Sequence, residues 1–188
     1  MEINNNTIVK DTDPKVREKS FPVALPLSHE DRETLESMLI YVKESIIPEI
    51  AEAKDLRPAV GISAIQIGIP KHLIAISLTD YDKNDKEIHY EFALVNPKII
   101  SSSVQPAYLE GGEGCLSVQE THQGYVVRSA RVKVEAYDML QDKYITIKAN
   151  GYLAIVLQHE IDHLSGVLFY DHINKEEPFK KIEGALVI

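Results

Sequence analysis

The sequence has a single cysteine, no excess of basic residues and no long apolar run. One thiol cannot form an intrachain disulfide, so a disulfide framework is excluded and a reducing cytoplasm is the expected location. The net charge of −9 argues against non-specific binding to nucleic acid, which needs a basic surface. No apolar run approaches the about 20 residues that span a bilayer, and residues 1–15 lack the apolar core of a signal peptide. We therefore expect a cytoplasmic protein that binds neither membranes nor nucleic acid directly.

The composition is that of an ordinary globular protein, with 44% hydrophobic and 26% charged residues among 188. A chain of this length fits one domain with a sizeable core, so we expect a single domain over residues 1–188. Several asparagines and aspartates near the start, together with Pro14, predict an extended N-terminal arm over residues 1–24. No shift in composition marks a linker or an internal repeat.

Hydrophobic periodicity predicts helices at two places and short strands between them. Ser28 suits a helix N-cap, and Glu30 and Asp31 follow in the first turn, so a helix is expected from about His29 to Ser45. Pro97 predicts that its strand lies at a sheet edge or contains a bulge. The expected strands cover residues 73–78, 92–100, 126–127, 132–137 and 144–149. A hairpin tip or loop is expected over 81–91, and a second helix over 151–164.

The second helix is apolar nearly all round, which predicts that it is buried. Strands that cluster with two helices indicate an α+β fold. We therefore expect antiparallel β-sheets around this buried central helix, with the N-terminal helix packed outside.

The central helix carries the string His159-Glu160-Ile161-Asp162-His163, an H-E-x-x-H pentad. Residues four positions apart lie on one helix face, so His159 and His163 can bind a single metal ion. Glu160 follows the first of them, where a carboxylate can reach a metal-bound water. The pentad therefore indicates a metal-dependent hydrolase.

A catalytic site of this kind usually has a third protein ligand. Cys115 is a candidate, although a lone cysteine is more often a small buried hydrophobe. Gly111, Gly112 and Gly114 surround it, and glycine clusters mark places where the backbone turns sharply or allows a close approach. This setting favours the ligand interpretation of Cys115.

Three strings together resemble the signature motifs of the peptide deformylases. They are Gly61 to Gly68 (G-I-S-A-I-Q-I-G), Glu113 to Ser117 (E-G-C-L-S) and Gln158 to His163 (Q-H-E-I-D-H). They occur in the family's order, and the resemblance covers roughly residues 25 to 175.

The chain departs from the family's usual residues at Ala59, Ser63 and Ile65, where the family has Gly, Ala and Pro. These positions neighbour the expected substrate groove, so the departures affect peptide binding more than catalysis. The length and the extra residues around 80–91 are similar to the type II branch of Gram-positive bacteria.

The resemblance implies an enzyme that removes the formyl group from N-formylmethionyl nascent peptides and releases formate. It implies one divalent metal ion, ferrous iron with zinc, nickel or cobalt able to substitute, and it allows transient contact with the ribosome. The implied metal ligands are Cys115, His159 and His163, and the implied catalytic residues are Glu160 as general base with Gln66 and Leu116 as oxyanion donors. The implied substrate residues are Val60, Gly61, Gly114, Tyr152, Ile155 and Val156, and Glu113 with Arg128 form an ion pair that orients the site.

Two other functions stay open on the sequence alone. A zincin-type endopeptidase also uses H-E-x-x-H, with His172 or Glu176 as its candidate third ligand. A structural metal site in a binding module would need four ligands and no Glu160. Ile155 and Val156 fit plain helix core equally well. Asp162 is expected to support the site or to be solvated, and the remaining histidines are expected at the surface: His29, His72, His89, His122 and His172.

Overall fold

A computed structural model describes residues 1–82 and 84–188. The described residues form three α-helices and eight strands, which confirms an α+β fold. The helices are α1 (His29–Ser45), α2 (Pro48–Lys54) and α3 (Gly151–His163). The strands are β1 (Gly61–Ser63), β2 (Leu73–Tyr81), β3 (Glu87–Ser102), β4 (Pro106–Tyr108), β5 (Arg128–Ser129), β6 (Arg131–Asp138), β7 (Lys143–Asn150) and β8 (Leu186–Val187). Lys83, within the loop expected over 81–91, lies outside the described residues.

The larger sheet has five strands in the order β1-β2-β3-β6-β7, and every neighbouring pair is antiparallel. The smaller sheet has the order β5-β4-β8. Its β4–β8 pair is parallel, with Ala107 opposite Leu186 and Tyr108 opposite Val187, so the prediction of purely antiparallel sheets is wrong there. Local sequence could not reveal this pair, because β8 returns to β4 from the far end of the chain.

Both faces of β2 are covered, one by α1 and the other by α3. Leu73 and Ala75 join the core that α1 builds with Leu35 and Met38. The alternate residues of β2, beginning with Ile74, join a second core that contains apolar side chains of α3. Since successive side chains of a strand point to opposite faces, both faces require apolar residues, which explains the continuous apolar run at the start of β2.

The helix boundaries agree with the periodicity. Helix α1 spans the predicted residues, and the Ser28 side chain accepts a hydrogen bond from Asp31 N at 3.1 Å as its N-cap. Pro48 starts the short helix α2, where its missing N–H costs nothing. Helix α3 ends at His163, and Gly166 follows with a φ of 73°. None of the helices in the described part of the chain has the length and apolarity to cross a bilayer.

The strand predictions have mixed outcomes. Strands β2 and β3 form an antiparallel hairpin, which confirms the expected hairpin tip within 81–91, but pairing continues to Tyr81 and Glu87, so the tip is shorter than expected. Pro97 was expected to mark an edge or a bulge, and the bulge alternative is confirmed: strand β3 is interior, and its register shifts between Val95 and Lys98, which accommodates the missing N–H. The apolar pair at 126–127 is not a strand, and the nearby strand is β5.

The N-terminal arm is mostly irregular, with one 3₁₀ turn at Pro14–Arg17. Val9 N donates to Gln66 O and Asp11 N donates to Ser117 O, each at 2.8 Å. These two bonds tie the arm to both loop segments that contribute to the site described next.

Candidate active site

Helix α3 and the glycine-rich segment 111–115 bring three candidate metal ligands together. His159 and His163 lie one helical turn apart with ring centroids separated by 5.1 Å. Cys115 Sγ lies 3.4 Å from His163 Nε2. One ligand atom from each of the three residues lies within 4.8 Å of the other two. The pentad's spacing accounts for the two imidazoles, and the fold adds the thiol of Cys115 to the same point.

The electrostatics of this group favour a charged sulfur. Burial alone raises the pKa of the Cys115 thiol, but the imidazoles of His163 and His159 reverse that effect and hold the pKa well below its usual value. Burial lowers the pKa of His159, and its contacts with Cys115 and Glu113 raise it well above the usual value instead. A buried thiolate beside two imidazoles is a donor set that suits a divalent transition metal, so these residues fit such an ion.

Glu113 fixes one of the two imidazoles. Its Oε2 lies 2.8 Å from His159 Nδ1, and its two oxygens accept from Arg128 Nε at 2.5 Å and Nη2 at 2.9 Å. Arg128 Nη1 also donates to Asp162 Oδ2 at 2.9 Å, and His172 Nε2 lies 2.7 Å from the same oxygen. Burial raises the pKa of Glu113, but the bonds to His159 and Arg128 outweigh it and hold that pKa below its usual value. A buried chain of charges thus runs from a ligand imidazole toward the surface.

Glu160 is buried between the two histidines and strand β1. Ser63 Oγ donates toward its carboxylate Oε2 at 2.9 Å and toward its backbone oxygen at 2.8 Å. A Cβ atom added to Gly61 would lie 2.7 Å from the other carboxylate oxygen, Oε1. Burial raises the pKa of Glu160 above its usual value, although the neighbouring imidazoles oppose that rise. The position of the Glu160 carboxylate therefore depends on strand β1, whose Gly61 was predicted from the sequence only to bind substrate.

Gln66 and Leu116 both lie next to Cys115, Gln66 by a hydrogen bond and Leu116 in sequence. The Gln66 amide is fixed at both ends: Oε1 accepts from Ser63 N at 2.9 Å, and Nε2 donates to Cys115 Sγ and Ser117 Oγ, each at 3.3 Å. Leu116 N–H donates to no other residue in the part of the chain that the structure describes. Both groups therefore present N–H donors beside the candidate ligand.

A cavity of about 360 Å³ opens beside these groups. All six residues predicted to bind substrate line it, namely Val60, Gly61, Gly114, Tyr152, Ile155 and Val156. Four further residues line it that sequence reasoning missed: Ile46, Arg57, Pro58 and Leu109. Ile46 follows the last residue of α1 and is 53% exposed, so it belongs to the cavity wall and not to the core.

The three departures from the family pattern lie in different surroundings. Ala59 lines the cavity, as expected. Ile65 is buried and Ser63 touches Glu160, so neither lines the cavity. That the departures affect peptide binding more than catalysis therefore stays a prediction, and Ala59 alone of the three lines the cavity.

The other histidines fall into two groups. His29, His89 and His172 are exposed, as predicted. His72 is half-buried with Nε2 3.0 Å from Ser20 O, and His122 is half-buried against the ring of Tyr170, so the surface prediction is wrong for these two. Among the described residues, neither His172 nor Glu176 belongs to the group of candidate ligands, so neither candidate third ligand of the zincin alternative lies at the site.

Comparison with known proteins identifies the family. A family profile described as polypeptide deformylase matches residues 5–179. Peptide deformylase 2 of Bacillus subtilis (strain 168) is 48% identical over 186 residues, which cover 99% of this chain and 98% of that protein. Peptide deformylase 2 of Geobacillus stearothermophilus is 46% identical over 186 residues, with the same coverage of 99% and 98%.

Solved structures agree with the sequence relatives. Peptide deformylase from Ehrlichia chaffeensis in complex with actinonin aligns with a TM-score of 0.71 at 28% identity, covering 95% of this chain and 92% of that one. Peptide deformylase from Thermus thermophilus aligns with a TM-score of 0.69 at 28% identity, covering 92% and 88%. The resemblance inferred from three short motifs, to the Gram-positive type, is confirmed, and the chain belongs to the polypeptide deformylase family.

Proposed function

We propose that this protein is a metal-dependent hydrolase that removes the N-terminal formyl group from formylmethionyl peptides of newly made proteins and releases formate. The observation that supports it most directly is the group of Cys115, His159 and His163, whose ligand atoms lie within 4.8 Å of one another beside a buried carboxylate. A thiolate with two imidazoles leaves room for a further ligand, which is the arrangement of catalytic sites and not of closed structural ones.

Cys115, His159 and His163 would hold the metal ion, and we propose ferrous iron as the native one. Zinc, nickel and cobalt suit the same donors, because imidazole and thiolate accept all four ions. When bound, the ion supplies Lewis acidity, which makes a water molecule more acidic and polarises the formyl carbonyl. Glu113 orients His159 toward the ion through Nδ1, which leaves Nε2 free for coordination.

Glu160 is the proposed proton carrier. It accepts a proton from the attacking water as the C–O bond forms, and it delivers that proton to the departing amine as the C–N bond breaks. Its burial raises its pKa, which favours a carboxyl that can both accept and return a proton. The Gln66 amide and the Leu116 N–H are the proposed donors to the oxygen that becomes negative during attack.

The peptide is proposed to bind as an added strand along β1. This strand is the last in its sheet, and Val60 O already accepts from Ser77 N of β2. Since hydrogen bonding alternates along an antiparallel pair, the N–H and C=O of Gly61 face away from β2 toward the cavity edge. Gly61, Val60 and Gly114 would then contact the peptide backbone, which is how added strands gain affinity.

The first side chain of the peptide is proposed to enter the cavity of about 360 Å³. Tyr152, Ile155 and Val156 line its α3 side and provide an apolar surface suited to methionine. The substrate is a nascent chain, so we also propose a single cytoplasmic domain that contacts the ribosome transiently and binds no nucleic acid directly.

The test is formate release from a formylmethionyl peptide by protein purified without oxygen, with metal analysis of the same sample. Glu160→Ala should keep its metal and lose turnover, whereas Cys115→Ala should lose both. Glu135→Gln, at an exposed position on β6, is the matched control and should keep both.

Three results would contradict the proposal. A Cys115→Ala protein with full metal content and activity would remove the thiolate from the site. An active Glu160→Ala protein would favour a structural metal ion. Cleavage of an internal peptide bond without formate release would favour the endopeptidase instead.

A further inference from the structure

Two residues of β1, Gly61 and Ser63, lie against the carboxylate of Glu160. Gly61 and Ser63 are two positions apart in one strand, so they point to the same face. Gly61 leaves space for Oε1, because a Cβ there would approach that oxygen to 2.7 Å. Ser63 Oγ lies 2.9 Å from Oε2. One strand face therefore shapes the surroundings of both oxygens of the proposed proton carrier.

Ser63 is the only hydrogen-bonding side chain that reaches this carboxylate among residues 1–82 and 84–188. The contrast with Glu113 is informative, because the Glu113 carboxylate is contacted by Arg128 and His159 together. Removing Ser63 Oγ would leave the Glu160 side chain without a polar contact that selects one rotamer. The Ser63 side chain is 0% exposed, so bulk water cannot readily replace its hydroxyl.

The same hydroxyl has a second, structural acceptor. Helix α3 ends at His163, so Glu160 O is one of the last carbonyls, which have no partner within the helix. Ser63 Oγ lies 2.8 Å from it. A hydroxyl has one hydrogen, so it donates to the carbonyl or to the carboxylate at any moment. A useful test must separate these two roles.

We infer that Ser63 is a positioning residue for the reaction, which holds the Glu160 carboxylate where it can exchange a proton with water and with the departing amine; this inference rests on the proposed function. The hydroxyl suits a proton carrier, because it can donate to a carboxylate and accept from a carboxylic acid. The contact therefore persists when Glu160 gains a proton and when it returns one.

The test compares Ser63→Ala with Ser63→Thr in the metal-loaded protein. In Ser63→Ala, kcat for formate release should fall about tenfold, because loss of an orienting hydrogen bond loosens a reacting group. KM and metal content should stay within about twofold, since Ser63 does not line the cavity and ligates no metal. Ser63→Thr keeps the hydroxyl and should restore kcat to within about threefold of the wild type.

Thr34→Val is the matched control. It removes a buried hydroxyl that donates to Glu30 O within α1, away from the cavity. This variant should keep the wild-type kcat even if its stability falls. A Ser63→Ala protein that loses stability like the control but keeps its kcat would show that the hydroxyl serves only the helix carbonyl, and the inference would be overturned.

Crystal structures of the wild type and Ser63→Ala provide a readout independent of turnover. The Glu160 carboxylate should hold one position in the wild type and adopt a different or a second position in the variant. An unchanged carboxylate would overturn the inference whatever the kinetics. Failure of the wild type to release formate would instead refute the proposed function, and the carboxylate position would still decide whether Ser63 orients Glu160.

Discussion

Replacement of Glu113 by glutamine tests how strongly the buried charges beside the proposed metal ligands depend on one carboxylate. Glu113 is 4% exposed at its side chain and contacts both Arg128 and His159. Glutamine keeps the shape but has only one acceptor oxygen and two N–H donors. Whichever way the amide turns, its NH₂ group meets an N–H of Arg128 or of His159. One buried donor therefore loses its partner.

The expected loss in the free energy of unfolding has two parts. Removing one partner of a buried ion pair costs about 3 to 5 kcal/mol, and we expect about 3 kcal/mol because Asp162 still pairs with Arg128. A residue that orients a ligand histidine also changes metal affinity about tenfold to hundredfold. When metal is in excess, a hundredfold weaker affinity for it lowers the free energy of unfolding by about 2.7 kcal/mol more.

Equilibrium unfolding in guanidinium separates these two parts. With a chelator present, Glu113→Gln should lower the free energy of unfolding by about 3 kcal/mol. With excess metal it should lower that free energy by about 2.7 kcal/mol more. Glu135→Gln, exposed on β6, should change by no more than about 0.5 kcal/mol in either condition. The reasoning fails if the Glu113 variant unfolds like this control in both conditions.

Three further changes test other parts of the site and fold. Gly61→Ala should lower kcat for formate release about hundredfold, because its Cβ displaces the Glu160 carboxylate; an unchanged kcat would contradict the close approach. Val156→Phe should raise KM for a formylmethionyl peptide about tenfold in initial-rate assays by narrowing the cavity, and an unchanged KM would place the methionine elsewhere. Burial raises the pKa of Asp31, but Lys71 at 2.6 Å outweighs burial and holds that pKa below its usual value. The ion pair therefore stabilises the fold at a pH above the pKa of Asp31 in the unfolded chain, and this stabilisation is lost as the pH falls through the pKa in the folded protein. Asp31→Asn should therefore be about 1 kcal/mol less stable than the wild type near pH 7 and equally stable below the folded pKa in urea unfolding, and a pH-independent difference would contradict this.

The parts of the fold that follow from local pattern were predictable from sequence. Helix α1 combines an N-cap with an apolar stripe, and its bounds agree with the prediction. Strands β6 and β7 alternate apolar and polar residues, and both were found within two residues. The β4–β8 pair and the position of Pro97 inside the larger sheet were not predictable, because both depend on which distant segment lies alongside. Strand order is a property of the whole chain, and no window of residues contains it.

The candidate site divides in the same way. The pair of His159 and His163 follows from the helical repeat of one short segment. No spacing rule links Cys115 to residues so far along the chain, so its place beside them was expected from its glycine-rich setting and from the resemblance, not from a helical repeat. Asp162 was expected to support the site or to be solvated, but its partners Arg128 and His172 were not predicted. These contacts join three elements, and a charged residue on a helix gives no sign of which one it faces.

The contact of Ser63 with Glu160 follows in part from the sequence. Once Gly61 is placed in a strand at the site, the alternation of side chains puts Ser63 on the same face. A hydroxyl on that face, next to a buried carboxylate, needs an acceptor, and the carboxylate needs a donor. Only the register between β1 and α3 was missing, and the structure provides it through the contact of Ser63 with Glu160. Ser63, one of the three residues that depart from the family pattern, is therefore the one whose side chain contacts the proposed base, and its effect on kcat tests that contact.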